Sequence, residues 1–198
     1  MNKFFAFLFF GIITISCSKS NLEFENEYET SLRRWEAFKE KSNNSYKYTT
    51  YSVSWTGWNT EITITVDQGT IMQVDFIVPQ LEQVKRPAEG WSSKIFSEAL
   101  RKMGYTEEEI EQHEANRTFQ TIEWTEDITT LGTHGDYYLR TIDDIYRKAK
   151  EEWLVKRAGI TNYFESENEG IISRVGSYKE GCMDDCFNGV RIKSIDRK

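Results

Sequence analysis

Two thiols, two carboxylates and a carboxamide crowd into one short segment near the C-terminus, Gly181-Cys182-Met183-Asp184-Asp185-Cys186-Phe187-Asn188-Gly189. With Cys17 accounted for separately below, Cys182 and Cys186 are an even pair, and in an oxidising compartment they predict a disulfide closing a tight loop. The competing reading is metal or redox chemistry at the same thiols. Two Cys with no nearby His fall short of a zinc set, and three residues between them is not the two-residue spacing of thioredoxin-type motifs. Asp184, Asp185 and Asn188 are candidate Ca²⁺ ligands, although they lack the twelve-residue ligand pattern of an EF-hand. A second place for chemistry is His134, which sits between Thr133 and Gly135 with Asp136 close by, in a loop that suits a general base. No Ser stands in a nucleophile-elbow setting, and the other His, His113, lies in an acidic helix. Trp55 and Trp58 flank Thr56 and Gly57 at a hairpin tip, where paired aromatics can form an interaction surface or fold back onto the sheet. The run Glu107, Glu108, Glu109 reads as a solvated helix start favoured by the helix dipole.

The third Cys belongs to a different pattern. Lys3 precedes a nearly unbroken apolar run from Phe4 to Ile15, which meets Ser16 directly before Cys17. That is the layout of a secretory signal, and the run is shorter than the ~20 apolar residues of a spanning helix. Ile13, Thr14, Ile15 and Ser16 before Cys17 resemble a bacterial lipobox, with Thr14 where Leu is commonest. The resemblance implies cleavage after residue 16 and acyl chains, palmitate among them, on Cys17. More than one acyl chain suffices for stable anchoring. The expected organisation is a signal peptide over residues 1–16, a lipid-anchored polar tether over 17–28, and one domain over 29–198. Ser18 after Cys17 favours the outer membrane by resemblance to proteobacterial sorting, so the protein is expected in the bacterial cell envelope.

The elements that must position these residues are written in the periodicity. Leu32, Trp35 and Phe38 make one apolar stripe on a charged helix. Residues 46–55 form a strand whose alternation changes phase between Tyr48 and Tyr51, as at a β-bulge. Residues 60–66 alternate cleanly, Asp67-Gln68-Gly69 is a hairpin turn, and residues 70–78 form the next strand, which Pro79 closes. Residues 80–140 read as an insertion: a helix with Ile95, Phe96, Ala99, Leu100 and Met103 on one face, a second helix opened by a Thr106–Glu109 capping box, and a β-like stretch over 117–130. From Thr141 the first pattern restarts, with a Thr141–Asp144 capping box, the stripe Ile142, Ile145, Tyr146, Ala149, Trp153, and strands over 161–165, 171–178 and 190–195. Gly69, Ile71 and Val74 match Gly170, Ile172 and Val175 at identical offsets. The predicted fold is therefore α+β: an antiparallel sheet with helices packed on one face, built as an α-β-β-β duplication (29–79 and 141–198) around a helical insertion.

Trp35, Tyr46-Lys47-Tyr48, Val66-Asp67-Gln68-Gly69, Thr141-Ile142-Asp143-Asp144-Ile145-Tyr146, Gly170-Ile171-Ile172-Ser173 and Asp184-Asp185-Cys186-Phe187-Asn188-Gly189-Val190 together resemble small lipoproteins of Bacteroidota-type bacteria, grouped as domain of unknown function 6174. The resemblance spans both halves and departs over residues 80–140. That family carries no established activity, so it implies no catalytic residue.

Composition sets the remaining limits. The 198 residues carry 25 Lys+Arg against 32 Asp+Glu, a net charge of −7, which argues against general nucleic-acid binding through phosphates. Aromatics at 14% with a mean hydropathy of −0.62 describe an aromatic core inside a polar exterior. The expectation is a non-enzymatic module, with no cofactor, that binds a protein or peptide. The alternatives are an envelope hydrolase using His134 and a Ca²⁺-dependent or glycan-binding adhesion module using Trp55 and Trp58.

Overall fold

The structure, a computed structural model, describes residues 21–54, 59–183 and 186–198. Helix α1 spans Glu25–Lys41. Glu25 and Glu27 in its first turn and Lys39 and Lys41 in its last complement the helix dipole, and Asn43 and Asn44, both at positive φ, turn the chain away. The helix begins earlier than the Leu32-Trp35-Phe38 stripe alone predicts. Tyr28, expected in the tether, is buried, and Leu22 forms an isolated bridge with Val155. The domain therefore takes in residues 22–28, because the Tyr28 ring meets Tyr146 edge-on and its hydroxyl donates to the Tyr146 carbonyl.

Strands β1 (Tyr46–Val53), β2 (Asn59–Asp67) and β3 (Thr70–Leu81) form an antiparallel meander. The turn between β2 and β3 is the predicted one: Gln68 and Gly69 both have positive φ, the geometry of a two-residue hairpin that twists with its strands. Pro79 does not end β3, which continues to Leu81. Between the pairs Glu61–Ile77 and Asn59–Gln80 the register slips, so Pro79 occupies a bulge where its missing N–H costs no ladder bond.

Beyond β3 come the short β4 (Val84–Lys85), then α2 (Ser93–Lys102) and α3 (Glu107–Ala115), then a 3₁₀ turn over Thr118–Thr121 and β5 (Glu123–Asp127). The Thr106–Glu109 capping box forms in full. Val78, Leu81, Trp91, Phe96, Leu100 and Ile110 close a small second core under α2 and α3. Strand β5 pairs with β3, so the predicted β-like stretch is half 3₁₀ turn and half sheet.

Helix α4 (Ile142–Lys148), opened by the Thr141–Asp144 capping box, runs into a π-helical turn over Ala149–Trp153. Strands β6 (Ile160–Glu165), β7 (Arg174–Lys179) and β8 (Asn188–Arg197) complete an eight-stranded sheet in the order β4-β3-β2-β1-β8-β7-β6, with β5 also on β3. Both α1 and α4 cover the same face. Trp35 Nε1 donates to Asp143 Oδ1 at 2.8 Å, and Trp35, Tyr46, Tyr48, Ile64, Ile145 and Trp153 share the main core. The fold is the α+β sandwich that the periodicity predicts. The α-β-β-β order occurs twice along the chain, but the sheet joins the first strand of one run to the last strand of the other. Superposing the runs on this order would place their helices on opposite faces, so the repeated order is not a repeated packing.

Candidate functional site

The joint between the two meanders positions the site. Strand β1 pairs with β8 from Tyr46–Arg197 up to Thr50–Ile192, and the register shifts between Thr49 and Thr50. The irregularity lies where the phase change predicts it, but the extra residue is Lys193 on β8. Past Thr50 the β1–β8 ladder ends: residues 51–53 keep β2 on one edge, and residues 188–191 keep β7 on the far edge. A cleft of about 460 Å³ opens between them. Its floor is apolar, with Ile62, Ile64, Phe76 and Ile145, and Tyr138 and Arg140 enter from the loop before α4.

Each wall has a local cause. The hydroxyl of buried Tyr48 donates to the Arg140 carbonyl, which ties that loop to the sheet. Arg191 stacks on the Phe187 ring at 4.3 Å and donates to the Tyr178 hydroxyl at 3.1 Å. Phe187 can lie flat there because Gly176 and Gly189 face each other across β7 and β8; a Cβ on Gly176 would stand 2.6 Å from the ring. Cys182 and Cys186 are at disulfide distance, with Cα atoms 6.3 Å apart, and close the loop that delivers Phe187. The Arg140 guanidinium forms no hydrogen bond or ion pair among the described residues. The described lining contains two guanidinium groups and no carboxylate, in a chain with 32 acids. Tyr51, Val53, Tyr137 and Met183, four exposed large apolar side chains, border this cleft or the one beside it.

Behind the Tyr138 wall lies a buried carboxylate. Strand β5 puts Trp124 and Glu126 opposite Phe76 and Val74, on the inner face of the sheet. The loop after β5 turns back over Glu126. Gly132 N donates to Oε2 at 2.7 Å, while His134 N (2.7 Å), the Thr133 hydroxyl (2.9 Å) and the Tyr138 hydroxyl (2.9 Å) donate to Oε1. His134 Nδ1 stands 2.9 Å from the same oxygen, and since an ionised carboxylate only accepts, Nδ1 carries the proton. Burial pushes the Glu126 pKa up, but the backbone donors of Gly132 and His134, with the His134 and Thr133 side chains, outweigh it and bring the value from 4.5 to about 2. Burial and then Glu126 hold the Tyr138 hydroxyl above its usual range. The imidazole stacks on Trp124, with ring centroids 4.2 Å apart and planes 4° apart. A carboxylate so low in pKa and so fully donated to does not take protons near neutral pH. It is the anchor of the loop over 127–138, and it orients His134.

The predicted site residues fare differently. Cys182 and Cys186 are brought together, and His134 finds an acidic partner, Glu126 in place of the neighbouring Asp136. Asn188 Oδ1 accepts from Trp153 Nε1 at 3.2 Å and its Nδ2 donates to Glu152 at 3.0 Å, so its carboxamide bridges the π-helical turn to β8. Cys17, Trp55, Trp58, Asp184 and Asp185 lie outside the described residues. Among the described residues no group of three His, Cys, Asp or Glu is placed to hold a metal ion, and no helix is long and apolar enough to cross a membrane. Sequence reasoning missed Glu126, Tyr138, Arg140 and Arg191. For Glu126 a signal exists: Ile122, Trp124, Glu126 and Ile128 alternate, and one acid stands in an apolar row. No family model, curated protein or solved structure matches this chain.

Proposed function

We propose that this chain is a non-enzymatic binding module, held at the cell envelope by acyl chains on Cys17, that receives a protein or peptide segment in the cleft between β1 and β8. The observation carrying this reading is the apolar rim. Val53, Tyr137 and Met183 are each more than half exposed, and with Tyr51 they gather around adjoining clefts at one end of the sheet. Apolar side chains scattered singly over a surface need no explanation, but a cluster around a concavity is the usual mark of an interaction site. The test is a photo-crosslinking amino acid placed at position 137, and separately at Ile128, in the native host. Ile128 is comparably exposed and lines neither cleft. Discrete adducts from position 137 and none from position 128 are expected; the same pattern from both, or none from 137, overturns the reading. The intact mass of the same material, lacking residues 1–16 and carrying acyl chains, tests the anchor.

A hydrolase is the second reading, favoured by one observation: Glu126 fixes His134 Nδ1 as a donor, which leaves Nε2 to act as a base. Two facts weigh against it. His134 does not line the cleft, and the one hydroxyl side chain bonded to it among the described residues is Thr133, which meets Nδ1 at 3.3 Å and already donates to Glu126.

A further inference from the structure

We infer that the occupant of the cleft is an extended acidic peptide that adds to the sheet as a strand between β1 and β8, with apolar side chains on the cleft floor and carboxylates at Arg140 and Arg191. The inference rests on the binding reading above and goes further by naming the mode and the chemistry.

The backbone carries the first part. The β1–β8 ladder ends at Thr50–Ile192, so residues 51–53 of β1 and 188–191 of β8 turn unpaired edges toward each other across the cleft. Backbone N–H and C=O groups at such edges seek partners, and strand addition is a recurring way for a sheet to take a peptide. Since β1 and β8 are antiparallel, a strand between them runs antiparallel to one and parallel to the other, and both hydrogen-bond patterns are available to it.

Side-chain alternation carries the second part. Successive residues of a strand point to opposite faces. On the inner side an inserted residue meets Ile62, Phe76 and Ile145 with Arg140 beside them. On the outer side it meets Tyr51 and the Phe187–Arg191 stack. The inner pocket suits an aromatic or aliphatic side chain. The two guanidinium groups, with no carboxylate in the described lining, select a negatively charged partner, which the remaining acidic surface of the molecule would repel elsewhere.

The experiment uses the purified full chain and a hexapeptide of alternating phenylalanine and glutamate, extended by one lysine whose side chain carries an uncharged boron-dipyrromethene dye, and acetylated and amidated so that its charge comes from the glutamates alone. Saturable binding by fluorescence anisotropy is expected. Replacing the glutamates by glutamines, or N-methylating alternate peptide amides, is expected to weaken it at least tenfold, and Arg140→Gln about tenfold, with Arg140→Lys between the two. Circular dichroism verifies that each variant is folded. Equal binding of the N-methylated peptide overturns strand addition and leaves the cleft reading intact. Equal binding of the glutamine peptide overturns the charge selection. Displacement by free 3-phenylpropionate at the same concentration as by unlabelled peptide overturns a peptide as occupant. No saturable binding to the folded wild type overturns the inference as a whole, and adducts at position 137 then decide the wider reading on their own.

Discussion

The two ends of the β1–β8 joint are built from the same pair of strands and behave in opposite ways. At the paired end Tyr46 and Tyr48 are buried under α1 and α4; the Tyr46 hydroxyl accepts from Ile142 N at 3.1 Å, and the Trp35 ring meets Tyr46 edge-on at 5.0 Å. At the open end Tyr51 and Val53 of the same strand are exposed. Two things differ: Tyr46 and Tyr48 point to the face that α1 and α4 cover, whereas Tyr51 and Val53 alternate onto the opposite face, and past Thr50 the ladder with β8 ends. On the covered face aromatic residues are structural cement; on the uncovered face the same residue type stands beside unpaired backbone and Arg191. Stability and the proposed recognition thus occupy neighbouring lengths of one strand.

The largest expected effect of breaking this contrast is at the paired end. Trp35→Ala removes a fully buried indole and its bond to Asp143, and should lower unfolding free energy in urea by about 3–5 kcal/mol. Tyr51→Ala, at the open end, should change it by less than about 1 kcal/mol. Comparable losses at both positions would erase the distinction.

A smaller effect sharpens it at the wall between the two regions. Glu126→Gln turns an amide N–H₂ toward the Gly132 N–H or the other donors and should cost about 1–3 kcal/mol at pH 7. Its pH dependence identifies the charge. The folded pKa, about 2, lies below the ordinary 4.5, so the stability it contributes is fully present above pH 4.5 and is lost as pH falls toward 2. Urea midpoints of wild type and Glu126→Gln should converge across that window. A gap constant from pH 5 to pH 2 would show that the charge of Glu126 contributes nothing.

Much of the fold was legible because it is local. Both capping boxes, the Gln68-Gly69 turn and the alternation of Ile62, Ile64 and Val66 depend on residues within a few positions of one another. Pro79 was misleading because its tolerance depends on a register slip with β2 that no local pattern encodes. The cleft was illegible for the same reason: it opens where the pairing of two strands some 140 positions apart in the chain stops, one pair past the slip at Lys193. Cys182, Cys186 and Phe187 were visible as residue types, yet the platform under Phe187 needs Gly176 from another strand. Arg140 and Arg191 carry no local signature and become a pair only through the fold.

Residue-resolved amide hydrogen exchange across β1 and β8, before and after saturation with the phenylalanine–glutamate hexapeptide, puts the contrast to its most direct test. The account predicts slow exchange at residues 46–50 in both states; within 51–53 and 188–191, where alternate amides are bonded to β2 or β7, it predicts fast exchange at the amides that face the cleft, which slows when the peptide is present. Equal protection of both ends in the free protein, or a saturated complex in which those cleft-facing amides still exchange fast, would contradict it.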